Sequence, residues 1–382
     1  MTTLHDDPQH SGASNILSDE ALEGTLHIHV AFDIGSEVDL GRARQLVPAE
    51  SQSLPRRPRT PSSIAYRPPP LRFALEPVPL ALSPAELGAT AAAADATVFD
   101  FGAVGVAMRV PFRLPPAALV RLARQLAEPA ELVRAARAAF APLYASLLPV
   151  IHQPGWNELT EEYFVFQLPP GGSLPPPAEL MAHHGAWLAG LVRLEDEPLS
   201  REEIDEALRM RISYGPHDLF VPEWSAALLV DHDCGETLQA IEFANLQLLE
   251  FRFLDERLDQ HLSEAYRLIH PIKRSYLPFW RSHSVPLRAL GELRMEANDV
   301  FERTGNVLKL VGDQYLARVY RMLAARFHLD DWERSIERSL RTMEGVYHIV
   351  SDRADTFRAE FMEMVIIVLI TLEIILALVH AV

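Results

Sequence analysis

MVIIVLITLEIILALVHAV, Met364 to Val382, is apolar except at Thr371, Glu373 and His380. At helical rise the run reaches roughly 28 Å, close to the ~30 Å hydrocarbon core of a bilayer. A buried helix of a soluble domain is usually shorter and carries a polar face. The run therefore predicts a transmembrane anchor over 364–382, with the rest of the chain as a body hung from it. The competing reading is an all-apolar helix inside a large soluble core, and Glu373 near the middle of the run speaks for it.

Upstream, Asp330 and Glu333 form a D-x-x-E capping pattern. Ile336, Leu340, Met343, Tyr347, Val350, Ala354, Phe357, Phe361 and Met364 then recur with strict 4,3 spacing. That is the a/d seam of a heptad repeat, and Val368, Thr371, Ile375 and Leu378 continue it in phase. The pattern predicts a heptad stalk over 330–363 and a single rod about 80 Å long as far as Val382. The rod is expected to pair with earlier helices of its own chain or with its copies in a homo-oligomer. Ile336, Leu340, Met343, Tyr347, Val350, Phe357 and Phe361 are the expected assembly residues. Glu373 joins them, because a carboxylate inside a bilayer costs roughly 2.5 kcal/mol or more and tends to face a partner. Ion conduction and a tolerated outlier are its alternatives.

The first residues, MTTLHDDPQHSGASN, are polar and slightly acidic. They carry neither the basic start and apolar core of a signal peptide nor an Arg-rich organelle presequence. Arg334, Arg338, Arg341, Arg353 and Arg358 precede the apolar run and no Lys or Arg follows it, which predicts a body on the cytoplasmic side. A lone cysteine, Cys234, makes no intrachain disulfide and suits a reducing compartment. The expectation is a tail-anchored, single-pass protein of the inner (cytoplasmic) membrane with its body in the cytoplasm.

A net charge of −17 argues against general affinity for nucleic acid, which needs concentrated Lys and Arg. The exception is SQSLPRRPRTPSSIAYRPPPLR at 51–72, with Arg56, Arg57, Arg59, Arg67 and Arg72 among prolines. It reads as an extended insert that builds no core; a docking strip for an acidic partner or RNA is the alternative. Residues 1–24 read as disordered. From 25 to 234 the pattern is a mixed α/β head. TLHIHVAF (25–32) alternates His27 and His29 with Leu26, Ile28 and Val30, as in a half-buried strand. Leu40–Leu46 reads as a short helix and ATVFDFGAVGVAMRV (96–110) as one or two adjoining strands. Gly102 and Gly105 lie inside strand-like sequence, which favours bulges or close packing over a phosphate loop. Pro115–Leu148 reads as helical, Glu162–Leu168 as a strand, 179–191 and 200–210 as helices, Ile212–Tyr214 as strand-like and Trp224–Asp231 as a further strand. From 235 to 329 the chain turns helical, with Leu238, Ile241, Leu248, Phe251, Leu258 and Leu262 near one line, a proline-broken stretch, and a second helix over 285–327. These two form a helical hairpin, so the fold class is α+β: a mixed head, then long helices with a coiled-coil stalk and the anchor.

IEFANLQLLEFRFLDERLD (241–259), FHLDDWERSIERSLRTMEGVYHIVSDR (327–353) and EMVIIVLITLEIIL (363–376) resemble the "required for meiotic nuclear division" family. The strands TLHIHVAF and ATVFDFGAVGVAM are also similar to N-terminal elements of that family, and the likeness spans about 25–382. It implies a domain ending in one hydrophobic helix. Eukaryotic relatives are mostly mitochondrial inner-membrane proteins connected with translation or ribosome anchoring. The family supplies no agreed catalytic residues, and without a presequence this chain looks like a bacterial member.

Asp231-His232-Asp233-Cys234 is the densest run of metal-ligand types, but four consecutive residues do not converge on one ion, and Gly235 marks a turn. His183 and His184 are adjacent and face different ways. There is no H-E-x-x-H, Walker loop, G-x-S-x-G or paired CxxC. Glu242, Leu246 and Glu250 fall four apart and read as a solvated or salt-bridged face, whereas Asn245, between Ile241 and Leu248, reads as a buried polar group that fixes register. No catalytic residue, metal or cofactor is expected. The function expected is a membrane-tethered, oligomeric interaction scaffold. The alternatives are a transport or channel component of CorA-like architecture and a metal-dependent enzyme.

Overall fold

A computed structural model describes residues 20–47, 50–51, 69–80, 91–269 and 314–380, with a few isolated positions between these ranges. Two compact units are present, one of 1–249 with 307–327 and one of 250–306 with 328–382.

The first unit is built on strands β1 (Leu22–Asp33), β2 (Glu37–Val38), β3 (Glu50–Ser51), β4 (Leu71–Pro79), β5 (Ala91–Val98), β6 (Ala103–Leu114), β7 (Ile151–His152), β8 (Thr160–Leu168), β9 (Leu219–Pro222) and β10 (Ala226–Val230). Eight of them form one sheet in the order β3-β4-β5-β6-β1-β8-β10-β9, and β2 pairs with β7. All pairings in the large sheet are antiparallel except β8 with β10. Helices α1 (Leu40–Leu46), α2 (Pro116–Leu126), α3 (Ala130–Leu147), α4 (Pro177–His183), α5 (Gly185–Arg193) and α6 (Arg201–Ala207) complete the head. Their apolar residues join Leu26, Ile28, Val30 and Phe32 of β1 in the main core.

The α+β class is therefore present, and so are the expected strands at 25–32, 162–168 and 224–231. The 96–110 segment lies in a hairpin of two strands, β5 and β6. Gly102 occupies the turn between them at φ +87°, where a Cβ would lie 1.7 Å from the Gly35 carbonyl oxygen. The Pro/Arg reading of 51–72 needs correction at its end. Leu71 is buried, and Arg72 pairs opposite Thr97 within β4. Most of that stretch, including Arg56, Arg57, Arg59 and Arg67, lies outside the described residues.

The opposite face of the sheet is covered by the start of α7 (Gly235–Ile269). Leu246 and Leu249 pack on Ala31, Phe99, Phe101 and Ala103. From Ile241 to Glu250 every residue except Phe243 is buried, so this is an enclosed core helix. The reading of Glu242, Leu246 and Glu250 as a solvated face is overturned, because all three are buried. Asn245 is buried as expected, and its side-chain amide donates to the Glu161 carbonyl at 3.1 Å. Helix α8 (Gln314–Arg326) belongs to the same unit, where the Tyr320 hydroxyl donates to the Gln247 side chain. The remainder of the expected 285–327 helix falls largely outside the described residues.

An ion-pair chain fastens α8. Arg326 meets Glu223 at 2.8 Å and Glu206 at 3.4 Å; Arg193 meets Glu223 at 2.6 Å and Glu203 at 3.0 Å. Burial pushes the Glu223 carboxyl up, and Arg326 and Arg193 oppose that shift. The Tyr163 hydroxyl donates to the Glu223 and Ala226 carbonyls, and Phe327 packs edge-on against its ring.

In the second unit, α9 runs from Leu329 to His380. Asp330 lies inside its first turn and does not cap it; His328, at φ +52°, makes the break, and its carbonyl accepts from the amides of Asp331 and Trp332. Ile336, Leu340, Met343 and Val346 are buried within the single chain. The seam is therefore already filled here without a second copy. The side chains of Tyr347, Val350, Phe357 and Phe361 lie outside the described residues.

The buried Arg326–Glu223 contact yields a stability prediction. Arg326→Ala leaves Glu223 with one cation instead of two in a desolvated position, and should lower unfolding free energy by about 3 kcal/mol. Urea denaturation of the full chain measures this; a loss below about 1 kcal/mol would mean that Arg193 alone satisfies Glu223.

Candidate functional site

The sequence alternation of β1 puts His27, His29 and Ala31 on the face that α7 covers, and strand register fixes their neighbours. One row across the sheet reads Ala74, Asp95, Ala107, His29, Tyr163. The row on one side reads Ala93, Arg109, His27, Val165, and the row on the other reads Arg72, Thr97, Gly105, Ala31, Glu161. Ala107 is thus a small floor with Asp95 and His29 directly across from it and Arg109 and Gly105 two residues away on its own strand.

Asp95 is buried and held by two arginines. Arg72 donates from Nε at 2.9 Å and from Nη2 to Oδ2 at 2.6 Å, and Arg109 Nη1 donates to Oδ1 at 2.6 Å. The arginine side chains stay 34% and 37% exposed, so the pair connects the buried face to solvent. His27 Nε2 contacts Gln167 Oε1 at 2.9 Å, and the Gln167 amide donates to the Asp231 carbonyl at 3.1 Å.

Two groups carry unpartnered polar atoms. His29 is only 5% exposed, and neither ring nitrogen has a hydrogen-bond partner. Burial is the main reason its pKa falls to about 3, with His27, Arg109 and Arg72 adding to the effect, so the ring is neutral. Glu242 comes down from α7 over Gly105, where a Cβ would stand 2.6 Å from its Oε1. That oxygen is unpartnered, and the residue is 9% exposed. Burial pushes the carboxyl up to about 7, against a hydrogen bond with the Thr97 side chain. Burial also lowers the pKa of His27.

This constellation of neutral imidazoles, a protonatable carboxyl and two guanidinium groups was only partly visible in the sequence. His27 and His29 stood out as the polar side of a strand, but nothing in the alternation said that a helix 200 residues later would cover them. Among the described residues no group of three or more His, Cys, Asp or Glu is placed to hold a metal. At the 231–234 run, Asp231 Oδ1 accepts from the Asp233 amide at 3.1 Å, forming a turn, and Cys234 is buried with its thiol pushed up to about 11 by desolvation.

The expected assembly residues are elsewhere. Ile336, Leu340 and Met343 are internal, and Glu373 is exposed on α9. Around it Met362, Met364, Ile366, Ile367, Val368, Leu369, Ile370 and Ile374 are 51–62% exposed. Among the described residues no helix is long and apolar enough to cross a membrane, so the expected transmembrane helix is not established by the structure.

The shifted pKa values of His29 and Glu242 predict an unusual pH profile. An unfolded Glu loses its proton near 4.5 but folded Glu242 keeps it to about 7, so this group lowers stability as pH rises between those values. Unfolded His takes a proton near 6.5 but folded His29 refuses it to about 3, so that group lowers stability as pH falls between those values. The slopes cancel between 4.5 and 6.5. Glu242→Gln should expose the His29 slope, so that acid loss starts near 6.5 instead of 4.5. At 1.36 kcal/mol per pKa unit the full effect is worth about 3 kcal/mol for Glu242 and about 5 kcal/mol for His29. Denaturant titrations across pH check this, and an unchanged profile would show that Glu242 is not held neutral.

The sequence matches the family described as "Uncharacterized protein MJ0711, N-terminal domain" over residues 23–237. It is 28% identical over 204 residues to "Uncharacterized protein MJ0711" of Methanocaldococcus jannaschii, covering 53% of this chain and 62% of that relative. No solved structure matches. The matched range holds the sheet with His27, His29, Arg72, Asp95 and Arg109, and ends at the start of α7, before Glu242. These matches do not show the meiotic nuclear division family. The chain belongs to the family of the MJ0711 N-terminal domain, which is uncharacterised.

Proposed function

We propose that this protein is a membrane-tethered interaction scaffold whose α+β body is held at a bilayer by the apolar end of α9. The observation that carries this reading is the all-round exposure of that end. Ile366, Ile367, Val368, Leu369 and Ile370 are consecutive and each at least half exposed. At about 100° per residue, five consecutive positions look out on every side of a helix. A coiled-coil partner covers one stripe of such a helix, whereas lipid covers all of it. Patches of this size are rarely left in water.

The described side chains give only part of the span length, and the apolar sequence continues through Val382. Thr371 fits the proposal because its hydroxyl donates to the Ile367 carbonyl at 2.7 Å, within the helix itself. Glu373 is the polar group that a bilayer leaves costly, and a hydrogen bond to a partner helix offsets that cost. The filled seam at Ile336, Leu340 and Met343 moves any contact between copies toward this end. Arg334, Arg338 and Arg341 upstream favour a body on the cytoplasmic side.

Removal of residues 362–382 should leave the body folded and release it to the soluble fraction after a carbonate wash of membranes, while the full chain sediments. A truncated chain that still sediments would overturn the anchor. A full chain that is washed off as a discrete hetero-complex would assign the apolar end to a protein partner.

A further inference from the structure

We propose that two copies of this chain pair inside the bilayer through the side of α9 that carries Glu373, with the two carboxyls in contact. The pairing rests on the anchoring of α9 in a bilayer and names what covers that side of the helix. The run from Met364 to Val382 is interrupted only by Thr371, Glu373 and His380. Thr371 is satisfied within its own helix, through the hydrogen bond to the Ile367 carbonyl. Glu373 is exposed, and no described residue gives its carboxyl a hydrogen bond or an ion pair.

Helix geometry says which side the contact uses. At about 100° per residue, positions Ile366, Leu369, Ala377 and His380 fall within roughly 40° of Glu373 around the helix. Both ionisable residues of the run therefore share one side. Positions Val368, Thr371, Ile375 and Leu378, which continue the heptad seam, fall roughly 140° or more away, on the opposite side. The sequence expectation joined Glu373 to the seam residues as one assembly surface, and the helix separates them. Upstream, Ile336, Leu340 and Met343 of the seam are already buried within the single chain.

A second copy is the occupant that fits the Glu373 side. Lipid tails cover apolar positions but offer a carboxyl no hydrogen bond. Copies anchored by the same run, with their bodies on the same side, lie parallel and carry Glu373 at one depth. A two-fold axis along the membrane normal then brings identical positions together. In its acid form a carboxyl donates one hydrogen bond and accepts another, so it complements its own copy. Ala377, one turn further on that side, is a small residue of the kind that lets two helices approach closely.

The test uses the purified full chain reconstituted into phosphatidylcholine liposomes, with flotation as the measure of insertion. Cys234 is buried, so the parent chain sets the background for oxidative cross-linking. Ile366→Cys and Ala377→Cys should form disulfide-linked dimers, with Val368→Cys and Ile375→Cys several-fold less efficient. Energy transfer between donor- and acceptor-labelled copies measures association in the same liposomes. Glu373→Gln keeps a donor and an acceptor and should preserve it, whereas Glu373→Leu should weaken it roughly fivefold, the scale of intramembrane hydrogen bonds. A full chain that does not float with the liposomes would overturn the anchor and the pairing together. A chain that floats but gives no dimers, cross-links as well through Val368 and Ile375, or associates as well with Leu as with Glu would overturn the pairing alone.

Discussion

Glu242 rests over Gly105 because a hydrogen is the only substituent that leaves room for its carboxyl there. A great deal follows from this contact. It seats α7 across the sheet, bringing Leu246 and Leu249 onto Ala31 and Ala103 and Asn245 onto the Glu161 carbonyl. It also closes a face that carries His27, His29, Asp95 and two arginines. Covering such a face with a helix is costly unless each polar group is paired or neutral. Asp95 is paired, His29 is neutral through burial, and Glu242 holds its proton to about 7. Most residues that set this electrostatic balance lie in four adjacent strands, and the carboxyl that completes it arrives from a helix far along the chain.

Most of the sheet was legible in the sequence because its strands carry clear signals. Period-2 alternation marked β1, and a dense apolar run marked β8. Leu71–Pro79 was hidden because its prolines and its neighbouring Pro/Arg run look like linker, and its register shifts between Leu75 and Val78. Arg72 was consequently counted with the insert, although it is one of the two cations on Asp95. The candidate site was obscured for a different reason. Alternation shows that His27 and His29 share a face but not whether water or a helix covers that face. Likewise Glu242, Leu246 and Glu250 at a spacing of four define one helix stripe, and their chemistry suggested solvent. Tertiary packing decided otherwise by enclosing the helix on nearly all sides.

The head and the end of α9 put different demands on their surroundings. The family resemblance to the MJ0711 N-terminal domain covers the sheet and its polar face, while the exposed apolar end of α9 lies beyond it. In the head, the unpartnered atoms of His29 and Glu242 are polar and buried. At the end of α9 the unsatisfied groups are apolar and exposed, and a bilayer would satisfy them. A scaffold reading joins these features without assigning chemistry to the head.

The neutral seat of Glu242 is the point on which the organisation of the head turns. It can be read directly from the carboxyl carbon chemical shift of Glu242 across pH in the folded full chain, assigned by difference from Glu242→Gln. A midpoint near 7 is the predicted result. A midpoint near the ordinary 4.5 would contradict it, placing a charged carboxylate over Gly105 and removing the reason for His29 and Glu242 to share one enclosed face.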